Sequence, residues 1–345
     1  MPPQIFIASM INRHYLRAKI LQTLYGYFLS GSQDIERAER RLFTEINNLY
    51  PLEVYFFSII LELRDMEENL LQESKDKFYP TKRDLNPNMR FVNNAFIAQL
   101  AANTELKQAI KKFKVNWHDS DLLFKNIMAD IKQTERYHEY MEAEETNYNA
   151  DKRFICKVFE EHIMGNRQLQ EVFYEKHTEW ESDYWYVVDI FLAFLRKFKE
   201  EDDETKPLLR PFVKDEEELQ SDKEFVECLF RNTIAMYDKY ETMIETRLEH
   251  WDLNRLAFID TLLLKMGMAE LVFSPTIPIR VTLNEYIELA KEFSTDRSSV
   301  FVNGMLDRLI IDLRSQGLIQ KEGRGLKDKN EGSEWMGTLK INMEI

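Results

Sequence analysis

Apolar residues recur at helical spacing along most of this chain, and the pattern predicts helices almost throughout. Over 12–30, Leu16, Ile20, Leu24 and Tyr27 share one stripe with Leu21 and Phe28 beside it, and Ser30-Gly31-Ser32 ends the helix. Ile35, Ala38, Leu42 and Ile46 predict a second helix over 34–49. Pro51 interrupts, and VYFFSIILEL then predicts a buried helix over 52–71. Further helices are predicted at 91–101, one or two within 117–148, and at 154–164 and 184–198. The last is rich in rings (Tyr184, Trp185, Tyr186, Phe191, Phe194, Phe198), a stripe that is more often core than ligand site. An acidic run at 200–206 with Pro207 and Pro211 reads as a linker.

From 221 a long amphipathic helix follows on Phe225, Leu229, Ile234, Tyr237 and Ile244, with a small phase shift at Ile234. The segment 253–272 is nearly all apolar and predicts a central buried helix, with Asp260 and Lys265 as its polar exceptions. After Pro275 and Pro278, Thr282 and Glu285 have the spacing of a capping box. Leu283, Ile287 and Ala290 continue that helix, as do Tyr286, Leu289 and Phe293. A polar joint at 294–299 separates it from a final helix starting near Val300, with Val302, Leu306, Leu309 and Leu313 buried and Gly317 as the C-terminal cap. Gly304 lies inside that helix, where glycine costs about 1 kcal/mol against alanine. Two explanations stand: tight helix packing, or a recognition surface formed by the helix start and the joint.

Composition agrees with an all-α fold. The 345 residues are 44% hydrophobic and include only 10 Gly and 9 Pro. The formal net charge of -14 argues against generic nucleic-acid binding, so any RNA site must be a local basic patch. The densest such spot before the first long acidic stretch holds Arg13 and Arg17, one turn apart at a helix start. Positive charge there opposes the helix dipole, so either a compensating anion or simple solvation is expected. Cys156 and Cys228 are far apart and read as small buried hydrophobes in a reducing cytoplasm. No apolar stretch reaches 18 residues, so no membrane span is expected.

Catalytic signatures are missing. The sequence contains no GxxxxGK[ST], GxGxxG, HExxH or GxSxG pattern, and its 6 histidines are scattered. The chain is therefore expected to be a non-enzyme without cofactor or metal.

Two segments carry a family resemblance. NEYIELAKEFS, a short polar joint and FVNGMLDRL resemble the carboxy-terminal signature of the NusB family of transcription antitermination factors. NRHYLRAKILQTLYGY is similar to that family's amino-terminal segment, an arginine-rich start leading into Gln-x-Leu-Tyr. The resemblance implies two three-helix subdomains, 12–73 and 221–316, around a helical insertion at 74–220. A flexible extension would occupy 1–11 and a disordered tail 317–345.

The function it implies is antitermination: binding of boxA-type nascent RNA together with the ribosomal protein NusE, in support of ribosomal RNA transcription by RNA polymerase. Arg13 and Arg17 would hold phosphates. His14 and Tyr15 stand where relatives often have arginine and would stack on bases, as would Tyr25 and Phe301. Asp260 would lie near the RNA, or be a helix-flank carboxylate in solvent. Asp296, Arg297 and Asn303 would face the protein partner. Val300 stands where relatives often carry a basic residue, which thins the positive charge further. The competing expectation is a protein-interaction scaffold with little RNA binding of its own. Some relatives dimerise when free, so a homodimer is a state to test.

Overall fold

The computed structural model describes residues 11–145, 147–208, 216–248 and 256–326. Among them every regular segment is helical and no strand occurs. The sequence expectations for 1–10 and for most of the tail lie outside the described residues. The helices gather into two compact units, one from Asn47–Val213 and one from Ile11–Ile46 with Lys214–Ile345.

The second unit begins with α1 (Arg13–Leu29) and α2 (Ile35–Asn47). Asn12 caps α1 by accepting the Tyr15 amide at 2.8 Å, which satisfies one orphan donor of the first turn. Gly31, at φ 64°, supplies the left-handed residue that turns the chain after α1.

The first unit is built on α3 (Leu49–Lys75), followed by α4 (Lys82–Leu85), α5 (Ala95–Ala102), α6 (Thr104–Phe113), α7 (Asp121–Lys132) and α8 (Glu135–Glu142). After α9 (Tyr148–Val158) come a π turn at Phe159–Ile163, α10 (Arg167–Lys176) and α11 (Trp180–Lys197). Pro51 does not interrupt α3, because it falls in the first turn, where its missing N–H has no helical partner to lose. Phe56 of α3 meets Phe159, Phe173 and Tyr184 with centroids 5.4, 5.5 and 5.5 Å away, all near-perpendicular. Such edge-to-face pairs add to plain area burial. Trp180 donates its indole N–H to the Asn48 carbonyl at 3.0 Å, and Trp117 donates to Ser58 at 3.0 Å. Of the aromatic run, Tyr184, Phe191, Phe194 and Phe198 are core, as the spacing predicts, whereas Trp185 is 51% exposed and Tyr186 half-buried. The segment 12–73 is divided: α1 and α2 cluster with the C-terminal helices, while α3 clusters with residues 74–213. The physical reason is that the rings of α3 have their partners in the π turn, α10 and α11.

The second unit resumes with α12 (Glu216–Ala235), α13 (Tyr237–Glu245), α14 (Phe258–Phe273), α15 (Ile279–Phe293) and α16 (Asp296–Ser315). The long helix expected from 221 breaks at Met236, next to the phase shift at Ile234. Every residue of α14 from Asp260 to Leu271 is buried, so it is the central helix of this unit. Gly267 is the point of close approach: a Cβ there would lie 3.0 Å from Leu306 Cδ2 and 3.6 Å from the Tyr286 ring. Lys265 is buried beside Glu241, 3.3 Å away, and burial pulls its titration down to about 8.

Two helix starts differ from the expectations. α15 begins one turn early, with Pro278 as its N-cap, and the Thr282–Glu285 capping box does not form. Thr282 instead donates its hydroxyl to Glu270 at 2.9 Å, and Glu285 turns to His14 and Arg17. α16 also begins early, because Thr295 caps it by accepting the Ser298 amide. The joint therefore supplies the first turn of the helix.

Candidate RNA and partner surface

The first turn of α1 holds no acidic residue, so its positive end is reinforced by Arg13 and His14. The compensating anions come from the chain itself. Arg13 Nε donates to Asp222 at 3.2 Å. His14 bonds Glu285 at 3.0 Å and Glu292 at 3.2 Å. These two hydrogen bonds hold the imidazolium against burial and raise its titration from 6.5 to about 9. Glu285, bonded by His14 and facing Arg17, is lowered in turn.

Arg17 lies deeper, with 2% of its side chain exposed. Its Nε and Nη2 donate to the two oxygens of Glu270 at 2.7 and 2.8 Å, and Nη1 donates to Glu285 at 3.1 Å. Burial works against the cation, but Glu270, Tyr286 and Glu285 outweigh it and leave Arg17 above its ordinary value. Glu270 is fully buried and also accepts from Thr282 and, at 3.3 Å, from Tyr286. This bidentate, four-donor arrangement is the geometry a buried ion pair needs to offset its desolvation. The Arg13 and Arg17 guanidinium carbons both lie over the Phe225 ring, at 5.1 and 5.2 Å. Tyr15 is buried. Of the four residues expected at the RNA-facing start of α1, Arg13 and His14 are partly exposed, while Tyr15 and Arg17 face inward. A phosphate contact by Arg17 would compete with a completed carboxylate pair.

A second cluster forms around the start of α14. Tyr25 is 38% exposed and rests on Phe258, centroids 5.5 Å apart. Two residues on, Asp260 is buried and accepts hydroxyl hydrogen bonds from Ser294 at 2.6 Å and Ser298 at 2.8 Å. It is neither a solvent-facing flank charge nor an exposed ligand group. Its carboxylate ties the joint to α14 and so fixes where α16 starts.

Arg297, Val300, Phe301 and Gly304 then follow at i, i+3, i+4 and i+7, which is one helix face. Arg297, Val300 (74%) and Gly304 are exposed and Phe301 is half-buried, while Val302, Met305 and Leu306 point into the core. Among the described residues, a Cβ at Gly304 would meet nothing within 4 Å. Tight internal packing, the first explanation for this glycine, is therefore overturned, and Gly267 is the packing glycine instead. Asn303 is half-buried beside this face, and the side chain of Asp296 lies outside the described residues. Sequence reasoning missed Glu270, Glu285 and Asp222 as partners of the cations. Glu285 was visible as a polar residue in a marked segment, but its use as an ion-pair partner depends on tertiary packing.

These features define a class: an all-α protein with a closed ion-pair network at its first helix and an open helix face after a serine-rich joint. The sequence model of the NusB family matches residues 186–310. The transcription antitermination protein NusB of Salinibacter ruber is 42% identical over 106 residues, 31% of this chain and 66% of that protein. The corresponding protein of Chloroherpeton thalassium is 40% identical over 106 residues, 31% of this chain and 50% of that protein. That of Bacillus pumilus is 39% identical over 100 residues, 29% of this chain and 76% of that protein. The chain belongs to the NusB family. It spans about two thirds and one half of the length of the first two of these relatives. No solved structure matches it. Among the described residues no helix is long and apolar enough to cross a membrane.

Proposed function

We propose that this protein acts in transcription antitermination, binding boxA-type RNA jointly with a NusE-type ribosomal protein and making or breaking no covalent bond. The observation that carries this reading is the α16 face. Arg297, Val300, Phe301 and Gly304 line it, the Asp260–Ser294–Ser298 hydrogen bonds fix it, and it lies within the segment that matches the family. A partner's backbone can approach an exposed helical glycine closely, and Phe301 offers a ring to a base or an apolar side chain. Arg13 and His14 flank the RNA as its nearest cations, and Tyr25 adds a ring beside Phe258. Arg17 acts through position, holding α1 against α14 and α15.

One specific observation favours the second reading, a scaffold with little RNA affinity of its own. Each of Arg13, His14 and Arg17 already has a carboxylate partner, so few counterions remain to be released by RNA. Both readings are tested by RNA binding of the purified chain, alone and with the ribosomal protein, on boxA and scrambled RNA at two salt concentrations. The antitermination reading expects boxA-selective binding that tightens with the partner and weakens on Phe301→Ala. Partner binding without RNA selectivity would move the assignment to a scaffold.

A further inference from the structure

The first unit carries a surface that the α16 face does not explain. The two most exposed of its large apolar side chains are neighbours: Phe78 at 88% and Tyr79 at 85%. Their ring centroids are 4.7 Å apart and the planes are perpendicular, so each ring keeps a face toward solvent. They sit on the tip of a closed turn. Lys77 Nζ donates to Asp84 at 2.9 Å, spanning the loop at its base. Thr81 donates to the same carboxylate through its amide at 2.8 Å and its hydroxyl at 2.6 Å, and accepts the Asp84 amide in return. The rings are thus held outward by a hydrogen-bonded turn instead of folding back on the core.

The charge around them is the reverse of the chain's. Within 75–84, Lys75, Lys77, Lys82 and Arg83 stand against Asp76 and Asp84, in a protein of net charge -14. Lys82 and Arg83 are exposed and enter no ion pair among the described residues. Two outward rings flanked by unpaired cations are the two parts of a single-stranded nucleic-acid platform, in which bases stack on rings and phosphates meet the cations. An acidic protein partner would be drawn to the cations but gives no reason for two bare, perpendicular rings.

We propose that the 77–84 turn is a second RNA-contact site, taking two unpaired bases of single-stranded RNA on Phe78 and Tyr79 and their phosphates on Lys82 and Arg83. It reads stacking faces and charge, so it is sequence-tolerant. It assumes that the chain meets RNA, as proposed above, but not that boxA is recognised.

The test uses the full chain and a fluorescein-labelled twelve-nucleotide oligo(A) RNA, with Phe78→Ala/Tyr79→Ala, Lys82→Ala/Arg83→Ala and Leu122→Ala as variants. Leu122 is 72% exposed in the same unit and serves as the control for removing an apolar surface side chain. The ring variant is expected to bind at least about thirtyfold more weakly, at the lower end of the stacking energy for two bases. The cation variant is expected to lower the slope of log K against log salt by about 1.4, the value for two phosphates of a single strand. The control stays within twofold. Photocrosslinking of 5-iodouridine RNA followed by peptide mass spectrometry is expected to mark Phe78 or Tyr79.

Unchanged oligo(A) binding by the ring variant, no binding by the parent chain, or crosslinks only outside 77–84 each overturn the proposal. So does loss of ribosomal-protein or anionic-vesicle binding, instead of RNA binding, on Phe78→Ala/Tyr79→Ala. The two proposals fail separately. Loss of boxA selectivity with oligo(A) binding intact sinks the antitermination reading alone, and oligo(A) binding indifferent to Phe78→Ala/Tyr79→Ala, with boxA selectivity intact, sinks this one alone.

Discussion

The two units solve the problem of a stable interior in opposite ways. The unit at 47–213 is held by rings: Phe56, Phe159, Phe173, Tyr184 and Phe191 meet mostly edge to face around α3 and α11. The unit that carries the α16 face buries an ion-pair network, with Arg17, Glu270, Thr282 and Tyr286 among its apolar helices. Rings tolerate small changes of angle, whereas a bidentate guanidinium–carboxylate pair permits one register. We read the difference as a division of labour. The network fixes the relative placement of α1, α14 and α15, on which the candidate surface depends, and the aromatic core supplies bulk stability.

The largest effect should follow breaking the network from one side. Glu270→Ala leaves the Arg17 cation buried without its main partner and should cost about 3–5 kcal/mol. Phe56→Ala, which empties the centre of the ring cluster, should cost a similar amount, about 3–5 kcal/mol. The two losses should appear in different helices. Amide hydrogen exchange should accelerate in α1, α14 and α15 for Glu270→Ala, and in α3, α10 and α11 for Phe56→Ala. If both variants loosen the same helices, the division of labour is wrong. The double replacement Arg17→Met/Glu270→Leu should recover most of the stability lost in Glu270→Ala, because a hydrophobic pair of similar volume is often neutral. RNA or partner binding should not recover with it, if the network's role is to fix geometry.

A smaller effect is expected at Gly267. The Cβ of Gly267→Ala would press on Leu306 at 3.0 Å, and overpacking of this kind costs about 1–3 kcal/mol. Urea denaturation measures it, and a variant as stable as the parent would show that Leu306 yields freely.

The pH dependence has a defined sign. His14 titrates at about 9 in the folded chain against 6.5 ordinarily, because Glu285 and Glu292 bond its charged form. The stability it contributes is complete below pH 6.5, declines as pH rises from there, and is lost above 9. The side chain is about a third exposed, so solvent screens the effect and it should be small. An NMR titration of the His14 ring gives the midpoint directly; a value near 6.5 would remove the charged pair from the account of α1.

Helical periodicity was enough to read the all-α class and most of the larger helices, because amphipathic stripes such as Val302, Leu306 and Leu309 are local. Caps were less legible. Thr282 and Glu285 have capping-box spacing, yet they bond Glu270, His14 and Arg17 instead, and the helix starts a turn earlier. α6 and α10 escaped notice because their buried residues are few: Leu106 and Ala109 in one, Leu169 and Phe173 in the other. In the candidate site, the α16 segment stood out through its glycine and its joint. The pairing of each α1 cation was not visible, since partners such as Asp222 and Glu270 lie more than 200 residues away in sequence.

The smallest effect on stability is the most informative for function. Gly304→Ala adds a methyl group where none of the described residues lies within 4 Å, in a helix interior where alanine is favoured by up to about 1 kcal/mol. The variant should therefore be slightly more stable than the parent. A glycine that weakens its own helix, and whose added Cβ would meet nothing among the described residues, has its explanation in a partner. If a partner's backbone packs against this face, the same methyl group blocks the approach, and binding of the ribosomal protein or of boxA RNA should weaken although the fold gains. Gly267→Ala should do the opposite, lowering stability without touching the open face. Measuring both variants for urea midpoint and partner affinity separates the two roles of helical glycine within one unit. If Gly304→Ala gains stability and binds both ligands as the parent does, the α16 face is not where either of them docks.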